Sequence, residues 1–275
     1  MKKVVSLILL VFVSVAVFAK KPEPFFFVQI SDPQMGFGEK GEVERSVRLL
    51  NETVDAINRI HPAFVVVTGD MVHTWYNEKE FNAYKECMSR LDSSIPVYTI
   101  PGNHDMKPAK SQESVQWYLA NFGPDHFAFK YKGSFFIGYN SNFIKDGPAE
   151  DEVRQFEWLE KELKKHKRAK HRFMFTHCSI IREHVDEKAN YFCYQEPYRA
   201  KYLKLCKDYN VDAVFSGHYH RYRTVMHDGT RHVTCTASGH PLGDGFSGIN
   251  VVTVYPDHFT YEIVPPKDAV NPLEK

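Results

Sequence analysis

The chain has 275 residues, of which 43% are hydrophobic and 25% are charged. These fractions are ordinary for a globular protein and exclude disordered, collagen-like and coiled-coil classes. The 35 Lys and Arg residues nearly balance the 34 Asp and Glu residues, which leaves a net charge of +1. Because this charge gives no general attraction to polyanions, we expect no nucleic-acid partner.

The amino terminus has the pattern of an export signal. Lys2 and Lys3 precede an uncharged, mostly apolar run from Val4 to Ala19. This pattern predicts a Sec-type signal peptide over residues 1–19, with cleavage after Ala19. A retained membrane anchor is the alternative, although about 16 apolar residues fall short of the ~20 that span a bilayer. We expect a periplasmic or secreted protein with no stable membrane insertion after cleavage.

Short apolar strands alternate with amphipathic helices along the remaining chain, residues 20–275. The strands are predicted at residues 25–30, 64–67, 97–100, 128–131, 134–139, 173–175, 213–215, 224–227, 232–236, 249–255 and 259–264. The helices are predicted at residues 42–60, 78–91, 111–121, 151–165 and 197–208. This order indicates an α/β protein with right-handed crossovers, in which the first strands form a largely parallel sheet. We expect one domain, a four-layer α/β/β/α sandwich of two mixed sheets flanked by helices.

Polar side chains follow five of these strands, at the point where each strand ends. They are Asp32 and Gln34, Asp70, the run Asn103-His104-Asp105, His177, and the pair His218 and His220. Because ligands bind at the carboxyl ends of strands in open α/β sheets, we expect these clusters to share one crevice. Carboxylate, amide and imidazole donors together suit Zn, Fe and Mn, and a carboxylate can bridge two ions about 3.5–4 Å apart.

In order and spacing, these clusters resemble the calcineurin-like metallophosphoesterase superfamily. The blocks of that family run Asp-x-His, Gly-Asp, Gly-Asn-His-Asp/Glu, His and Gly-His-x-His, and the resemblance covers about residues 26–220 and the strands that follow. It implies a single metallophosphoesterase domain over residues 20–275. It also implies two divalent or mixed-valence ions of Mn, Fe or Zn, and hydrolysis of a phosphate ester.

The resemblance further implies a role for each matching residue. Asp70 bridges both metals and Asp32 and His220 complete the first site, while the second site is held by Asn103, His177 and His218. A bridging hydroxide would attack phosphorus in line. His104 would act near the scissile phosphate as general acid or transition-state stabiliser. Asp105 would orient His104 by a hydrogen bond, or would instead cap a turn.

One block departs from the family pattern, because Gln34 stands where the family usually has His. An amide oxygen is a harder and weaker ligand than imidazole, so the first site should bind metal less tightly or favour Mn, Mg or Fe over Zn. The fragments at residues 31–36 and 69–73 resemble one branch of the family, the calcineurin-like phosphoesterase domain-containing Ser/Thr-protein phosphatases. The substitution is therefore compatible with activity.

Loops that leave the strand ends are expected to determine the choice of substrate. The substrate-binding candidates are Arg182 for a phosphate oxygen, Trp75 and Tyr191 for an organic leaving group, and His73 for the pocket wall or, equally, for a structural hydrogen bond. We expect a phosphomonoester, with phosphorylated Ser or Thr as examples. Two alternatives are a phosphodiesterase for nucleotides or lipid head groups, and a phospho-ligand binding protein weakened by Gln34. The presence of His104 argues against a pure binding protein, which needs no proton donor.

Five cysteines allow at most two disulfides, and at least one free thiol must remain. They have no Cys-x-x-Cys spacing, so we interpret them as structural, with core packing as the expected role of Cys178 beside His177. The basic run at residues 161–172 is interpreted as a solvated helix end and not as a phosphate or nucleic-acid patch.

Overall fold

A computed structural model describes residues 23–38, 42–107, 111–188, 190–243 and 245–274. The predicted signal peptide, residues 1–19, lies outside the described residues. Eleven strands are present in this part of the chain: β1 (Phe25–Ile30), β2 (Val65–Val67), β3 (Val97–Thr99), β4 (Phe127–Tyr131), β5 (Ser134–Gly138), β6 (Arg172–Phe175), β7 (Ala213–Ser216), β8 (Arg223–His227), β9 (Thr230–Thr234), β10 (Ile249–Val254) and β11 (Phe259–Val264). Within the described ranges, no helix is long and apolar enough to cross a membrane.

The strands form two mixed sheets. The first has the order β11-β10-β1-β2-β3, and the second has the order β4-β5-β6-β7-β9-β8. In the first sheet, β1, β2 and β3 are parallel, while β10 pairs antiparallel with β1. In the second sheet, β5, β6, β7 and β9 are parallel, and antiparallel β4 and β8 form its edges.

Helices cover the outer face of each sheet. They are α1 (Glu44–Ile60), α2 (Glu78–Ser89), α3 (Gln112–Phe122), α4 (Asn142–Lys145), α5 (Ala149–Lys165) and α6 (Tyr198–Asp208), followed near the carboxyl end by a 3₁₀ turn at Pro266–Asp268. The apolar face of α1, with Leu50, Val54 and Ile57, packs in the same cluster as β1 and β2 of the first sheet. Leu159 of α5 and Leu205 of α6 pack likewise against the second sheet.

Strand β1 is apolar at nearly every position because both of its faces are buried. Phe26, Val28 and Ile30 face the helices of the first sheet, whereas Phe25 and Phe27 face the layer between the two sheets. A strand buried on both faces does not alternate between apolar and polar residues, because neither face contacts solvent. The core therefore has three apolar layers, and the predicted four-layer α/β/β/α architecture is confirmed.

The layer between the sheets is built largely from aromatic rings. Phe27 is fully buried, and its ring centroid lies 5.1 Å from that of Phe64 in the first sheet. Across the layer it lies 5.6 Å from Phe136 and 5.9 Å from both Phe175 and Phe215. The three contacts across the layer are edge-on, and they join the two sheets below the strand ends that carry the polar clusters.

All five cysteines lie in the described part of the chain, and all five are buried free thiols. The disulfides that the sequence left open are therefore not formed. Burial raises the pKa of the Cys178 and Cys206 thiols to about 12, so both remain protonated and unreactive at neutral pH. These thiols pack as small apolar side chains in the layer behind the second sheet.

We expect Phe27→Ala to destabilise the protein by about 3–5 kcal/mol, because it removes a fully buried ring that contacts both sheets. Urea unfolding followed by circular dichroism measures the loss. Phe246→Ala is the matched control, because Phe246 is 41% exposed and should change the midpoint little. Equal losses in the two variants would contradict the role given to the central aromatic layer.

Candidate metal centre

The polar clusters meet where the strands of both sheets end. The amide of Asp32 after β1 donates to the carbonyl of Gly69 after β2, at 3.0 Å. In β1, the buried amide of Gln29 donates to the Thr68 hydroxyl and to the carbonyl of Ser216, each at 3.0 Å. Because Ser216 ends β7, these bonds fix the ends of the two sheets against each other.

Two groups of buried side chains could each hold a metal ion. The members of each group present ligand atoms within 4.8 Å of one another, and the groups are Asp32, Asp70 and His220, and Asp70, His177 and His218. We call these the first site and the second site. The carboxylate of Asp70 is common to both, as the bridging position requires.

In the second site, the candidate ligand atoms surround Nε2 of His177. Nε2 of His177 lies 3.1 Å from Oδ1 of Asn103, 3.2 Å from Nδ1 of His218 and 3.4 Å from Oδ2 of Asp70. In the first site, Nε2 of His220 lies 3.3 Å from Oδ1 of Asp32. The sequence motifs therefore identified side chains that the fold brings together.

Each imidazole is fixed through its other ring nitrogen. Nδ1 of His177 donates to the carbonyl of Thr68 at 2.8 Å, and Nε2 of His218 donates to the carbonyl of Tyr191 at 3.0 Å. Nδ1 of His220 donates in the same way to a loop carbonyl. The remaining nitrogens are the ones that face the two sites, which is the usual arrangement for metal-ligating histidines.

The charges of the site also fit bound cations. Burial acts to raise the pKa of Asp32, but the imidazoles of His220 and His177 outweigh it and hold that pKa below its ordinary value. The pKa of Asp70 is also lowered, because His177 and other imidazoles outweigh burial. Burial and His177 lower the pKa of His218 to about 3, which keeps its ring neutral. Two buried carboxylates and several lone pairs thus face one small space, and a cation satisfies them.

Close approach of the loops depends on Gly102, which precedes Asn103. A Cβ built at Gly102 would lie 2.7 Å from the carboxyl carbon of Asp70. Gly69 has a φ of +91° and a Cβ there would lie 2.8 Å from Nδ1 of His177. The glycines before Asp70 and Asn103 therefore provide space as well as tight turns.

His104 is held beside the shared carboxylate. Its amide donates to Oδ1 of Asp70 at 2.8 Å, and its Nδ1 donates to the carbonyl of His73 at 2.6 Å. The hydrogen bond expected from Asp105 is thus supplied by a backbone carbonyl. Asp105 itself accepts from the amides of Gly102 at 2.8 Å and Val72 at 3.1 Å, so it braces two loops. This is the turn-capping alternative, and the orienting role predicted for Asp105 is corrected.

Gln34 and His73 lie side by side near the first site. The Gln34 side chain is 2% exposed, and its Nε2 lies 3.3 Å from Nδ1 of His73. Its Oε1 is buried and has no hydrogen-bond partner among the described residues. An unpaired amide oxygen is the donor that a hard metal ion accepts. The His73 ring stacks on that of His104 with centroids 4.8 Å apart, so His73 supports the site through both ring and backbone.

A cavity of about 210 Å³ opens beside the second site. Its lining residues are Asn103, Lys107, Asn142, Lys145, Asp146, His177, Cys178, Tyr191, Gln195 and His218. Tyr191, predicted to contact substrate, is therefore at the cavity, where its hydroxyl accepts from Nδ2 of Asn103 at 2.9 Å. Sequence reasoning missed Lys107 and Lys145, because neither stands directly after a strand or in a family block.

Arg182 is not among the residues that line this cavity, and its predicted contact with phosphate stays a prediction. Its Nε lies 3.2 Å from a carboxylate oxygen of Glu187, and its Nη2 lies 3.3 Å from Glu183. The guanidinium also lies over the ring of Tyr219, 5.3 Å from the centroid. The guanidinium of Arg182 is thus engaged by acidic residues of its own loop.

Trp75 is likewise outside the group of residues that line the cavity. Its ring contacts those of Tyr76 at 5.5 Å and Trp117 at 6.4 Å. Tyr76 is 61% exposed, so these rings form an aromatic surface beside the loop that follows β2. The contact of Trp75 with an organic leaving group stays a prediction.

Two stacked mixed sheets with a carboxylate and histidine centre at the strand ends are typical of metallophosphoesterases. The model of the family described as Calcineurin-like phosphoesterase matches residues 27–222, and the chain belongs to this family. It is therefore a hydrolase of phosphate esters, and the resemblance noted from the motifs is confirmed.

Relatives with assigned names agree with this class. Serine/threonine-protein phosphatase CPPED1 of Danio rerio is 32% identical over 251 residues, which covers 84% of this chain and 81% of the relative. The Homo sapiens protein of the same name is 29% identical, and the alignment covers 84% of this chain and 80% of the human protein. A protein of Arcobacter nitrofigilis named Probable glycerophosphodiester phosphodiesterase GpdQ is 27% identical, with 66% of this chain and 65% of the relative covered.

Solved structures share the fold. A dimetal phosphatase from Danio rerio aligns with a TM-score of 0.64 at 16% identity, covering 88% of this chain and 96% of that one. Purple acid phosphatase PPD1 from yellow lupin aligns with a TM-score of 0.68 at 16% identity, covering 90% of this chain and 52% of that one. At such identities the likeness shows the architecture alone.

We expect Gln34→His to tighten metal binding at the first site, most clearly for Zn²⁺, because imidazole is a better zinc ligand than an amide. Calorimetric titration with Zn²⁺ and Mn²⁺ measures the change. The control Gln116→His adds the same side chain to an exposed position of α3. Zn²⁺ affinity that is the same in Gln34→His and the wild type would show that residue 34 is not a ligand.

Proposed function

We propose that this chain is an exported phosphatase that hydrolyses phosphomonoesters, including phosphorylated Ser and Thr, at a centre of two divalent metal ions. The observation that carries the proposal is the position of Asp70, whose buried carboxylate belongs to both groups of candidate ligands. A carboxylate shared by two sites supports a pair of ions, since two separate mononuclear sites would not need a common ligand.

Each site has its own set of side chains. Asp32, Gln34 and His220 would hold the first ion, Asn103, His177 and His218 the second, and Asp70 both. When bound, two such ions lower the pKa of water and stabilise negative charge on a phosphoryl group. The identity of the metals is left open among Mn, Fe and Zn, because the donors include both hard oxygens and imidazoles.

His104 supplies the remaining chemistry from the protein. Its Nδ1 is engaged with the His73 carbonyl and its backbone amide with Asp70, so Nε2 is the nitrogen left to act on substrate. In the imidazolium form of the ring, which carries a proton on both nitrogens, Nε2 can give its proton to the departing alkoxide while Nδ1 keeps its own. The stacked ring of His73 keeps the imidazole in that orientation.

A monoester is favoured over a diester by the charge of the cavity. Lys107 and Lys145 both line it beside the second site, and their two ammonium groups outnumber the one acidic side chain of the lining, Asp146. A phosphomonoester dianion carries one more negative charge than a diester and gains more from two metal ions and nearby ammonium groups. The relatives named Serine/threonine-protein phosphatase support phosphorylated Ser or Thr as the substrate.

The test is hydrolysis of p-nitrophenyl phosphate and bis-p-nitrophenyl phosphate by purified protein loaded with Mn²⁺, Fe²⁺ or Zn²⁺. We expect the monoester to be the better substrate, and Asp70→Asn to reduce its hydrolysis to near background because the shared ligand is lost. His104→Ala should lower turnover by roughly 10²–10⁴-fold while metal content stays nearly unchanged. Metal content measured on each variant separates the two effects.

A consistent preference for the diester with every metal would overturn the monoester assignment. Loss of metal from His104→Ala to the same degree as from Asp70→Asn would show that His104 is a structural support and not the proton donor. A diesterase is the second candidate function, and the relative named as a glycerophosphodiester phosphodiesterase is the observation that favours it. The same two substrates decide between the candidates.

Export is proposed from the pattern of residues 1–19, a basic start followed by a short apolar run. We expect the mature protein to begin at Lys20 and to appear in the periplasm or the medium when the full chain is expressed in a bacterium. Amino-terminal sequencing and cell fractionation measure this. A membrane-integral product that begins at Met1 would instead support the retained anchor.

A further inference from the structure

The side-chain amide of Asn103 can bind a metal ion in only one of its two orientations. An asparagine binds a metal ion through Oδ1, and its NH₂ group must then find an acceptor on the opposite side. If the amide rotated by half a turn, NH₂ would face the cation and the ligand would be lost. In this structure Oδ1 lies 3.1 Å from Nε2 of His177, and Nδ2 donates to the hydroxyl oxygen of Tyr191 at 2.9 Å. The phenol oxygen is thus the acceptor that selects the binding orientation.

Tyr191 also acts on a second ligand through its backbone. Its carbonyl accepts a hydrogen bond from Nε2 of His218 at 3.0 Å. This bond places the proton on Nε2 and leaves Nδ1 to face His177 and the second site. The Tyr191 ring lies against His218, with centroids 4.6 Å apart, so the imidazole is held on its face as well as at its edge.

Lys145 fixes the segment that carries Tyr191. Its Nζ donates to the carbonyls of Tyr191 and Cys193 at 3.0 Å and to that of Asn190 at 3.2 Å. Three donors on one ammonium group match three carbonyls of an irregular segment. An isolated bridge between Ser179 and Cys193 joins this segment to the chain that follows β6, and the ammonium group at the end of α4 adds three hydrogen bonds to it.

We propose that Tyr191 is a positioning residue of the second metal site, which orients Asn103 with its phenol oxygen and His218 with its carbonyl, and that Lys145 holds it in place. The inference rests on the proposed two-metal function and extends it to residues that donate no ligand atom. Partners of this kind change metal affinity by about 10–100-fold when they are removed.

The test is calorimetric titration with Co²⁺ in two backgrounds. His220→Ala removes a ligand of the first site alone, so the second site is measured, and His177→Ala isolates the first site in the same way. Tyr191→Phe removes the phenol oxygen but keeps the ring and the carbonyl. We expect it to weaken Co²⁺ binding by roughly 10–100-fold in the His220→Ala background and by less than about 2-fold in the His177→Ala background.

Asn103→Asp provides the specific check on the mechanism. A carboxylate offers an oxygen in either orientation and has no NH₂ group that needs an acceptor. In the His220→Ala background with Asn103→Asp added, Tyr191→Phe should therefore change Co²⁺ affinity by less than about 3-fold. A loss as large as that seen with Asn103 would overturn the proposed role of the phenol.

Lys145→Met tests the support of the segment, and Lys161→Met on the exposed face of α5 is its matched control. Lys145→Met should weaken the second site and Lys161→Met should not. The proposal is overturned if Tyr191→Phe and Lys145→Met leave the second site unchanged, or if they weaken both sites equally. A wild-type protein that binds no Co²⁺ and hydrolyses no phosphate ester would refute the proposed function itself, a result distinct from either of these.

Discussion

Two buried carboxylates of the same charge set the main constraint on this structure. Asp32 and Asp70 are 0% and 1% exposed, and both lie near one imidazole, that of His177, at 4.0 Å and 3.4 Å. Buried carboxylates are costly unless positive charge or hydrogen bonds compensate them. Protonated imidazoles compensate them in part, and bound cations do so more fully. Metal binding should therefore stabilise the fold as well as supply the chemistry.

The backbone is bent to bring these groups together. Five predicted ligands adopt positive φ values between 41° and 67°, which are uncommon for residues other than glycine: Asp32, Gln34, Asp70, His218 and His220. Each such conformation costs on the order of 1–3 kcal/mol and persists only where the surroundings enforce it. Here the enforcing elements are hydrogen bonds between loops and the aromatic layer around Phe27, which fixes both sheets beneath the loops.

Most of the fold could be predicted because its strands are buried on both faces and end abruptly in polar residues. Strand β1 was predicted with its observed limits, and Asp32, one of the polar residues after it, belongs to a candidate metal-binding group. Helix α4 was missed, because four residues carry too little periodicity, and the cavity cation Lys145 was missed with it. Arg182 was assigned to substrate from its place in the chain alone. Its ion pair with Glu187 depends on how the loop folds back, and the local sequence pattern does not predict that fold.

The two sites differ in donor chemistry, and this difference bears on which metals they hold. Around the shared Asp70, the side chains proposed for the first site are a carboxylate, an amide and one imidazole, whereas those proposed for the second are an amide and two imidazoles. Oxygen-rich surroundings suit harder ions such as Mn²⁺ or Mg²⁺, and imidazole-rich surroundings suit Zn²⁺ or Fe²⁺. Because Gln34 replaces an imidazole in the first site only, it increases this contrast. If the proposed pair of ions is bound, these donors favour two different ions, with the weaker one beside Gln34.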